Sequence, residues 1–469
     1  MIRKVLSDSF IYGMSPHIPK IASLFIYPLI TANVTEYDYG IMAIIFAYQG
    51  LFSVLSGLGM NLLIVNSFFK NPTRYIWRWR YIYGILKTWN IIFNSLISIL
   101  IFFVLPKELG DTRFLIITLL FLPIVILGPV NTFAKTYYQL KKMPFQVAWR
   151  TILSGVLTII LNYYTIVELQ LGFLGWIWST AIVTLIIGFT NVYVKHFVIK
   201  LKPIYALKYN IIKSYLRITV PTIPHYYSGY LLNSSDRIVM DVQNISINNM
   251  GNYGFAYSFG NYFNFLGQAF STALTPFQLE LLKAEKHEKF RDLIFYIILL
   301  FFSISFSVSI FCKEIFEFLV KNEQLKSLYP LSIIIIMSYC YRPIYMGVMS
   351  RYFYNEKTKK IWRISFIAGL INLLANLILI PIYGFEIAAY TTFVAFIYMG
   401  YSGYFIKMYK EVKTEFQFHP IFWMVTQISL TFLAYYYRDA SLMFKISLVL
   451  LVWQPFVFWY IKKKHKLNK

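Results

Sequence analysis

Long apolar segments set the strongest limit on how this chain can fold. Fourteen of them can be drawn along the 469 residues, each about long enough to cross a bilayer as a helix. They cover residues 9–31, 40–66, 84–105, 114–134, 147–168, 173–194, 216–238, 252–276, 293–312, 327–349, 361–382, 385–406, 420–437 and 443–461. With 58% hydrophobic and 14% charged residues, the composition lies far from that of soluble domains. We therefore predict an all-α polytopic membrane protein with about 14 transmembrane helices.

The basic residues are concentrated in every second loop between the apolar segments and do not form one patch. Lys and Arg number 34 at the termini and in alternate loops, 8 in the opposite loops, and two within segments. By the positive-inside rule, this distribution predicts that both termini are cytoplasmic. We assign the net charge of +24 to contact with anionic membrane lipids and not to nucleic acid. The expected location is a bacterial cytoplasmic membrane.

Internal similarity indicates two related halves. Pro16 and Pro19 align with Pro221 and Pro224 at an offset of 205 residues, and the two Gly-Phe pairs that begin at 172 and 384 align at 212. An offset of six helices preserves orientation, which predicts a parallel repeat about an axis along the membrane normal. We expect two six-helix lobes, residues 1–200 and 201–410, around a central cavity. Residues 411–469 would add two C-terminal helices and a basic cytoplasmic tail.

Polar and basic residues lie inside several apolar segments. Residues 220–240 carry a stripe of polar side chains, and an unpartnered polar group in hydrocarbon costs several kcal/mol, so the stripe must meet protein or water. Lys20, His225 and Arg342 lie within segments 1, 7 and 10. A central Lys or Arg costs about 2.5–3.5 kcal/mol on insertion scales. We predict that these three residues bind an anion in a cavity. The structural alternative is that Arg342 snorkels and that His225 satisfies carbonyls freed by the prolines.

A face of amide and phenol side chains in segment 8 predicts contact with sugar. Tyr257, Asn261, Asn264 and Gln268 recur at i, i+4, i+7 and i+11, which places them on one side of a helix. Amides donate and accept hydrogen bonds, and a tyrosine ring offers an apolar face to a pyranose. Gln49 belongs to a weaker stripe in segment 2. The alternative is interhelical hydrogen bonding.

The sequence predicts neither catalytic residues nor metal ligands. A membrane glycosyltransferase would need a carboxylate base, and the external loops are short. Glu36 and Asp38 are the only acidic residues that lie close together in such a loop. We therefore expect that the protein is not an enzyme and needs no cofactor, with coupling to an ion gradient or to the membrane potential left open.

Three motifs support a family resemblance when their order is considered. SSDR occupies 234–237, GNYGFAYSFG follows at 251–260, and NLLANLILIPIYGFEIAAYTT spans 372–392. Together they resemble the polysaccharide transporter, or Wzx-type lipid-linked oligosaccharide flippase, family of the MOP exporter superfamily. The resemblance implies that the anion is a diphosphate and that Lys20 is a counterpart of the basic cavity residues of related flippases. Arg342 matches no family position, so its role depends on the charge argument alone.

The resemblance also implies a function. A polyprenyl-diphosphate-linked oligosaccharide would cross the plasma membrane by alternating access for the assembly of a surface polysaccharide such as O-antigen. Pro16, Pro19, Pro221 and Pro224 would act as hinges, because proline bends a helix. Expected partners are the lipid-linked oligosaccharide, anionic lipids, and the polysaccharide polymerase and chain-length machinery. An exporter of drugs or metabolites in the same superfamily is the alternative, ahead of a membrane glycosyltransferase.

Overall fold

The computed structural model describes residues 18–70, 73–206, 208–355, 361–405 and 417–467, and within these ranges the chain forms helices and no β-strand. Nine spans in the described ranges are long and apolar enough to cross a membrane. They are Glu36–Lys70, Tyr75–Val104, Thr112–Leu140, Pro144–Glu168, Phe173–Val198, His287–Ile310, Tyr329–Tyr352, Trp362–Tyr383 and Leu442–Ile461. The prediction of an all-α membrane protein is confirmed, and the number of 14 transmembrane helices stays a prediction.

The helices follow one another along the chain with short connections. The first are α1 (Ile18–Ala32), α2 (Glu36–Ser56), α3 (Asn61–Lys70), α4 (Tyr75–Val104), α5 (Thr112–Leu140), α6 (Pro144–Asn162), α7 (Phe173–Tyr193), α8 (Tyr209–Thr219), α9 (Ile223–Asn233) and α10 (Ser235–Val242). The others are α11 (Ile247–Lys283), α12 (His287–Ile310), α13 (Cys312–Leu319), α14 (Glu323–Lys326), α15 (Tyr329–Ser338), α16 (Arg342–Tyr354), α17 (Ile361–Tyr383), α18 (Ile387–Phe405), α19 (Pro420–Tyr436) and α20 (Leu442–Leu467).

The chain divides into two compact units, unit 1 ending at Tyr230 and unit 2 beginning at Leu231. In unit 1, α5 packs on α4 and α7, and α7 packs on α6. In unit 2, α15 packs on α11 and α18, and α17 packs on α18. The boundary lies within α9, so residues 216–230, the first part of the seventh predicted segment, belong to unit 1. The proposed division at residues 200 and 410 concerns the internal repeat and stays a prediction.

The seventh predicted segment is not one continuous helix. A 3₁₀ turn at Val220–Thr222 separates α8 from α9, and a further break at Ser234 separates α9 from α10. Pro221 has no N–H to continue the hydrogen-bond ladder, so a turn at this position is the expected result. The segment drawn over residues 216–238 therefore comprises three helical pieces separated by two breaks. The proline that marks the break was present in the sequence.

Glycines at two corresponding turns support the internal similarity. Gly172 precedes α7 with φ 53°, and Gly384 lies between α17 and α18 with φ 80°. Both are in the left-handed region that residues with a Cβ rarely adopt. A backbone requirement for glycine therefore explains why this pair stands out in the alignment of the halves.

An aromatic cluster holds together the end of unit 1 that contains α3 and the start of α4. Trp79 is fully buried, and its Nε1 donates to Ile64 O and to Ser67 Oγ, both at 3.0 Å. Helix α8 carries apolar residues on one side, and its Ile212 and Tyr215 pack against this cluster. The amphipathic pattern of α8 thus fixes the helix on unit 1.

Candidate functional site

The strongest candidate site in unit 2 is centred on Arg342, the first residue of α16. A 3₁₀ turn at Tyr339–Tyr341 separates α15 from α16. Pro343 explains this turn, because it lacks an N–H and its ring displaces the carbonyl of Tyr339 four residues earlier. The arginine therefore follows directly on a break in a helix that otherwise spans Tyr329–Tyr352.

The guanidinium of Arg342 lies against the middle of α11. Its Nη2 donates to Asn264 Oδ1, and its carbon atom Cζ lies 5.8 Å from the ring centres of both Tyr339 and Tyr341. The long side chain can lie here because position 267 is glycine. A Cβ at Gly267 would be 2.3 Å from Arg342 Cδ. Glycine in the middle of a helix costs about 1 kcal/mol relative to alanine, so the close approach of Arg342 accounts for its presence.

The positive charge of Arg342 has no carboxylate partner among the described residues. Its side chain is half-buried, and in this part of the chain its buried Nε makes no hydrogen bond. Arg237 gives the contrast, since its Nη1 lies 3.1 Å from Oδ1 of the fully buried Asp236. A half-buried guanidinium without a counter-ion attracts anions and presents several N–H donors to them. Arg342 can therefore bind an anion, whereas Arg237 is already neutralised.

The amide face predicted in segment 8 divides into two parts. At one end Tyr257 is 1% exposed, and its hydroxyl donates to Asn233 Oδ1 and accepts from Tyr339, both at 3.3 Å. Here the observed role is interhelical hydrogen bonding, which was the structural alternative. At the other end Gln268 is exposed and its Nε2 donates to Asn264 Oδ1 at 3.1 Å. Asn261 lies between these parts and is half-buried.

The structure thus joins two groups that the sequence treated separately. Arg342 was predicted to bind an anion, and Asn264 and Gln268 to bind sugar, yet Asn264 accepts hydrogen bonds from both of the others. The sequence analysis missed Tyr339, Tyr341 and Gly267. Pro343 marked the turn that places the two tyrosines, but no pattern along one helix indicates what lies opposite it. We define the unit 2 arginine site as Arg342, Asn264, Gln268, Tyr339 and Tyr341.

The remaining predicted site residues lie in unit 1 or outside the described residues. Lys20 is half-buried on α1, where the neighbouring Pro19 packs against Gly155 of α6. Gln49 is half-buried on α2. His225 belongs to α9, but its side chain lies outside the described part.

The predicted hinge residues also lie either in unit 1 or outside the described residues. Pro221 lies in the 3₁₀ turn before α9, Pro224 is exposed on α9, and Pro16 lies outside the described ranges. Whether Lys20, His225 and Arg342 serve one anion, and whether the prolines act as hinges, stay predictions.

The acidic pair considered for catalysis is used in packing. Asp38 Oδ2 accepts from the backbone N–H of Thr35 at 2.7 Å and from its hydroxyl at 2.8 Å. Its Oδ1 accepts from the N–H of Phe173 at 2.8 Å, at the start of α7. Asp38 therefore caps two helices and is 9% exposed, and Glu36 is 8% exposed. The described residues include no group of three His, Cys, Asp or Glu side chains that could hold a metal ion.

Comparisons with known proteins agree with this architecture. A family profile described as "Polysaccharide biosynthesis protein" matches residues 5–281. The search of curated protein sequences found no match. Among solved structures, the fold resembles the lipid II flippase MurJ in an inward closed conformation, with a TM-score of 0.66 and 15% identity over 93% of this chain and 99% of that one.

Two MATE transporters show the same architecture with lower TM-scores. An inward-facing MATE family transporter of the MOP superfamily gives a TM-score of 0.58 at 14% identity, covering 90% of this chain and 95% of that one. The Vibrio cholerae MATE transporter VcmN in its bent form gives 0.51 at 16% identity, covering 87% and 97%. These similarities establish the fold.

Proposed function

Because the chain belongs to the family of polysaccharide biosynthesis proteins and has the fold of MOP transporters, we propose that it is a lipid-linked oligosaccharide flippase. Its substrate would be an oligosaccharide repeat unit joined to a polyprenyl diphosphate. The protein would move this molecule across the plasma membrane by alternating access, for the assembly of a surface polysaccharide. It would act as a transporter and catalyse no reaction.

The unit 2 arginine site is the observation that supports this substrate most directly. Arg342 offers a charge without a carboxylate partner in the described chain, and Asn264 and Gln268 supply amides beside it. A diphosphate next to a sugar presents anionic oxygens and hydroxyls within a short distance. A guanidinium with neighbouring amides offers hydrogen-bonding groups to both. Lys20 and His225 stay predicted contacts of the diphosphate, and Gln49 stays a predicted contact of the sugar.

The charge of this site also weighs against the main alternative. A multidrug exporter of organic cations would share the fold, but a half-buried guanidinium repels a cationic substrate. An exporter of anionic metabolites remains compatible with the site. Efflux of a cationic dye by the reconstituted protein, unchanged by Arg342→Gln, would favour the drug-exporter alternative.

The test is transfer of a labelled polyprenyl-diphosphate oligosaccharide in proteoliposomes. Wild-type protein should move the labelled lipid to the opposite leaflet, Arg342→Gln should transport it poorly, and Arg342→Lys should retain part of the rate because it keeps the charge. Arg363→Gln, which neutralises an exposed arginine of the same unit, is the matched control. Equal rates for wild type and Arg342→Gln, at equal amounts of folded protein, would remove the support that this site gives.

The wider setting follows from the same proposal. Both termini would be cytoplasmic, and the oligosaccharide would pass to the polymerase and chain-length machinery after translocation. An ion gradient or the membrane potential is the proposed source of energy for transport, and no cofactor is proposed. The prolines at 16, 19, 221 and 224 would permit the bending that alternating access requires.

A further inference from the structure

A second group of cations lies in unit 1, apart from the residues discussed so far. Lys195 is 9% exposed and lies in a π-helical turn, Val194–Val198, at the end of α7. Lys87 lies on α4 one turn after Tyr83, so these two side chains are on the same face of the helix. Lys195 Nζ is 5.1 Å from the ring centre of Tyr83, and Lys87 Nζ is 5.9 Å from that of Tyr205. Two ammonium groups and two phenol rings therefore form one cluster.

The connection between α7 and α8 closes over this cluster. Its Ile204 N–H donates to Arg80 O, and Arg80 Nε donates to Lys202 O, both at 3.0 Å. The crossing depends on Gly84, because a Cβ there would lie 2.1 Å from Ile204 O. Tyr205 follows directly and is 54% exposed. The cluster is therefore held by a fixed connection and remains open at Tyr205.

Nothing in the described chain neutralises these two lysines. The sequence has no acidic residue at 39–107 or at 169–235, the stretches that supply the cluster. Within the described residues, Lys195 Nζ makes one hydrogen bond, to Nε2 of the exposed His196 at 3.3 Å. Carbonyls at the end of α7 stabilise a cation by about 0.3–1 kcal/mol, but they do not relieve the repulsion between two. An anion from outside the chain would.

The surrounding surface indicates which anion is available. Eight exposed basic residues lie in the elements around the cluster: Lys70, Arg74, Arg78, Lys200, Lys202, Lys208, Lys213 and Arg217. Exposed aromatic residues accompany them, with Trp77 at 53% and Tyr209 at 72% exposure. Aromatic rings beside Lys and Arg are typical of the membrane interface, where each basic residue contributes about 1 kcal/mol of attraction to anionic lipid.

We propose that Lys87 and Lys195 bind the phosphate group of an anionic membrane lipid on unit 1. The surrounding basic residues concentrate such lipids at the surface, and the two lysines hold one headgroup at a defined position. Lysine suits this task as a compact charge with three rotatable donors. This lipid site is separate from the unit 2 arginine site, and the proposal does not depend on the identity of the transported substrate.

The experiment measures thermal unfolding of the full-length protein in an uncharged detergent, titrated with dioctanoyl-phosphatidylglycerol. The wild-type protein should be stabilised, and dioctanoyl-phosphatidylcholine at equal concentration should have little effect. Lys195→Met and Lys87→Met should each bind the anionic lipid about fivefold more weakly. Lys107→Met is the matched control, because Lys107 is an exposed lysine of unit 1 in the turn Lys107–Leu109, outside the eight surrounding basic residues, and it should respond as the wild type does.

Measurements without lipid distinguish binding from a packing role. If the lysines repel each other, Lys87→Met should unfold at the same temperature as the wild type or higher in plain detergent. If they serve only packing, both Met variants should be destabilised and still respond fully to the lipid, and this result would overturn the proposal. Tyr205→Ala removes an exposed ring at the opening and provides a second variant if Lys195→Met does not fold. Its lipid response should also be weakened.

Two further arms identify the source of the phosphate. An equal shift with phosphatidylcholine would exclude recognition of negative charge. An equal shift with inorganic phosphate alone, at the same concentration as the anionic lipid, would show that a free anion fills the site and would overturn the assignment to a lipid. The expected result is a shift with phosphatidylglycerol that inorganic phosphate does not reproduce.

Discussion

Gly267→Ala tests whether the position of Arg342 matters, and not merely its presence. The alanine Cβ would lie 2.3 Å from Arg342 Cδ and 3.2 Å from Nε. Carbon atoms pack at about 3.5–4.0 Å, so the Arg342 side chain must move by more than about 1 Å. A movement of this size breaks its hydrogen bond to Asn264. The substitution therefore displaces the charge without removing it.

The magnitudes favour an effect on binding over one on folding. Overpacking costs about 1–3 kcal/mol, whereas replacing a helical glycine by alanine returns about 1 kcal/mol. Loss of one hydrogen bond from the displaced guanidinium to the diphosphate would cost about 1.5–3 kcal/mol, which corresponds to a loss of roughly 10- to 150-fold in apparent affinity. We therefore expect a raised KM for the lipid-linked oligosaccharide in proteoliposomes, with a modest change in thermal unfolding.

Two controls make the test of Gly267→Ala decisive. Gly128→Ala is matched, because its Cβ would meet its nearest neighbour, Asn90 Oδ1, at an ordinary 3.5 Å, and it should transport as the wild type does. In the double variant Gly267→Ala with Arg342→Gln, the loss should equal that of Arg342→Gln alone, because both act on one group. Wild-type KM in Gly267→Ala, or additive losses in the double variant, would refute the reasoning.

Four further predictions follow from the same residues. Reporter fusions should be cytoplasmic after Lys142, Lys202 and Lys464 and external near Asp38, Asp111 and Asn322, and reversal at more than one site would contradict the topology. Lys20→Arg should keep part of the transport in proteoliposomes and Lys20→Met should lose most of it if Lys20 meets a diphosphate, whereas wild-type rates in Lys20→Met would exclude that role. Pro221→Ala combined with Pro224→Ala should insert normally but transport more slowly, and equal transport per inserted molecule would show that the bends are only structural. Asp38→Asn should lower the free energy of unfolding by about 1–2 kcal/mol, because the Asp38 carboxylate caps both α2 and α7. Asp111 makes no side-chain cap, so Asp111→Asn should leave the free energy of unfolding unchanged. Equal effects of the two substitutions would refute the capping argument.

The sequence by itself determined the class of fold and several local features. Apolar segments with few charges can satisfy their backbone in a membrane only as helices or closed barrels, and their length favours helices. Proline removes a donor wherever it occurs, so Pro221 and Pro343 account for the 3₁₀ turns at their positions without reference to any distant residue. Individual basic residues in apolar segments could also be recognised, because their cost depends on their own surroundings in the membrane.

Only the tertiary structure decided which of these residues work together. Periodicity assigns a side chain to a face of its own helix but does not identify the helix opposite. Asn264 and Arg342 are 78 residues apart and form one site, while Tyr257 on the same predicted face is enclosed by Asn233 and Tyr339. The importance of Gly267 and Gly84 is equally invisible in sequence, because a missing side chain has meaning only once the atoms that approach it are known. Partnership between distant residues is a property of packing, and packing is decided by the whole chain.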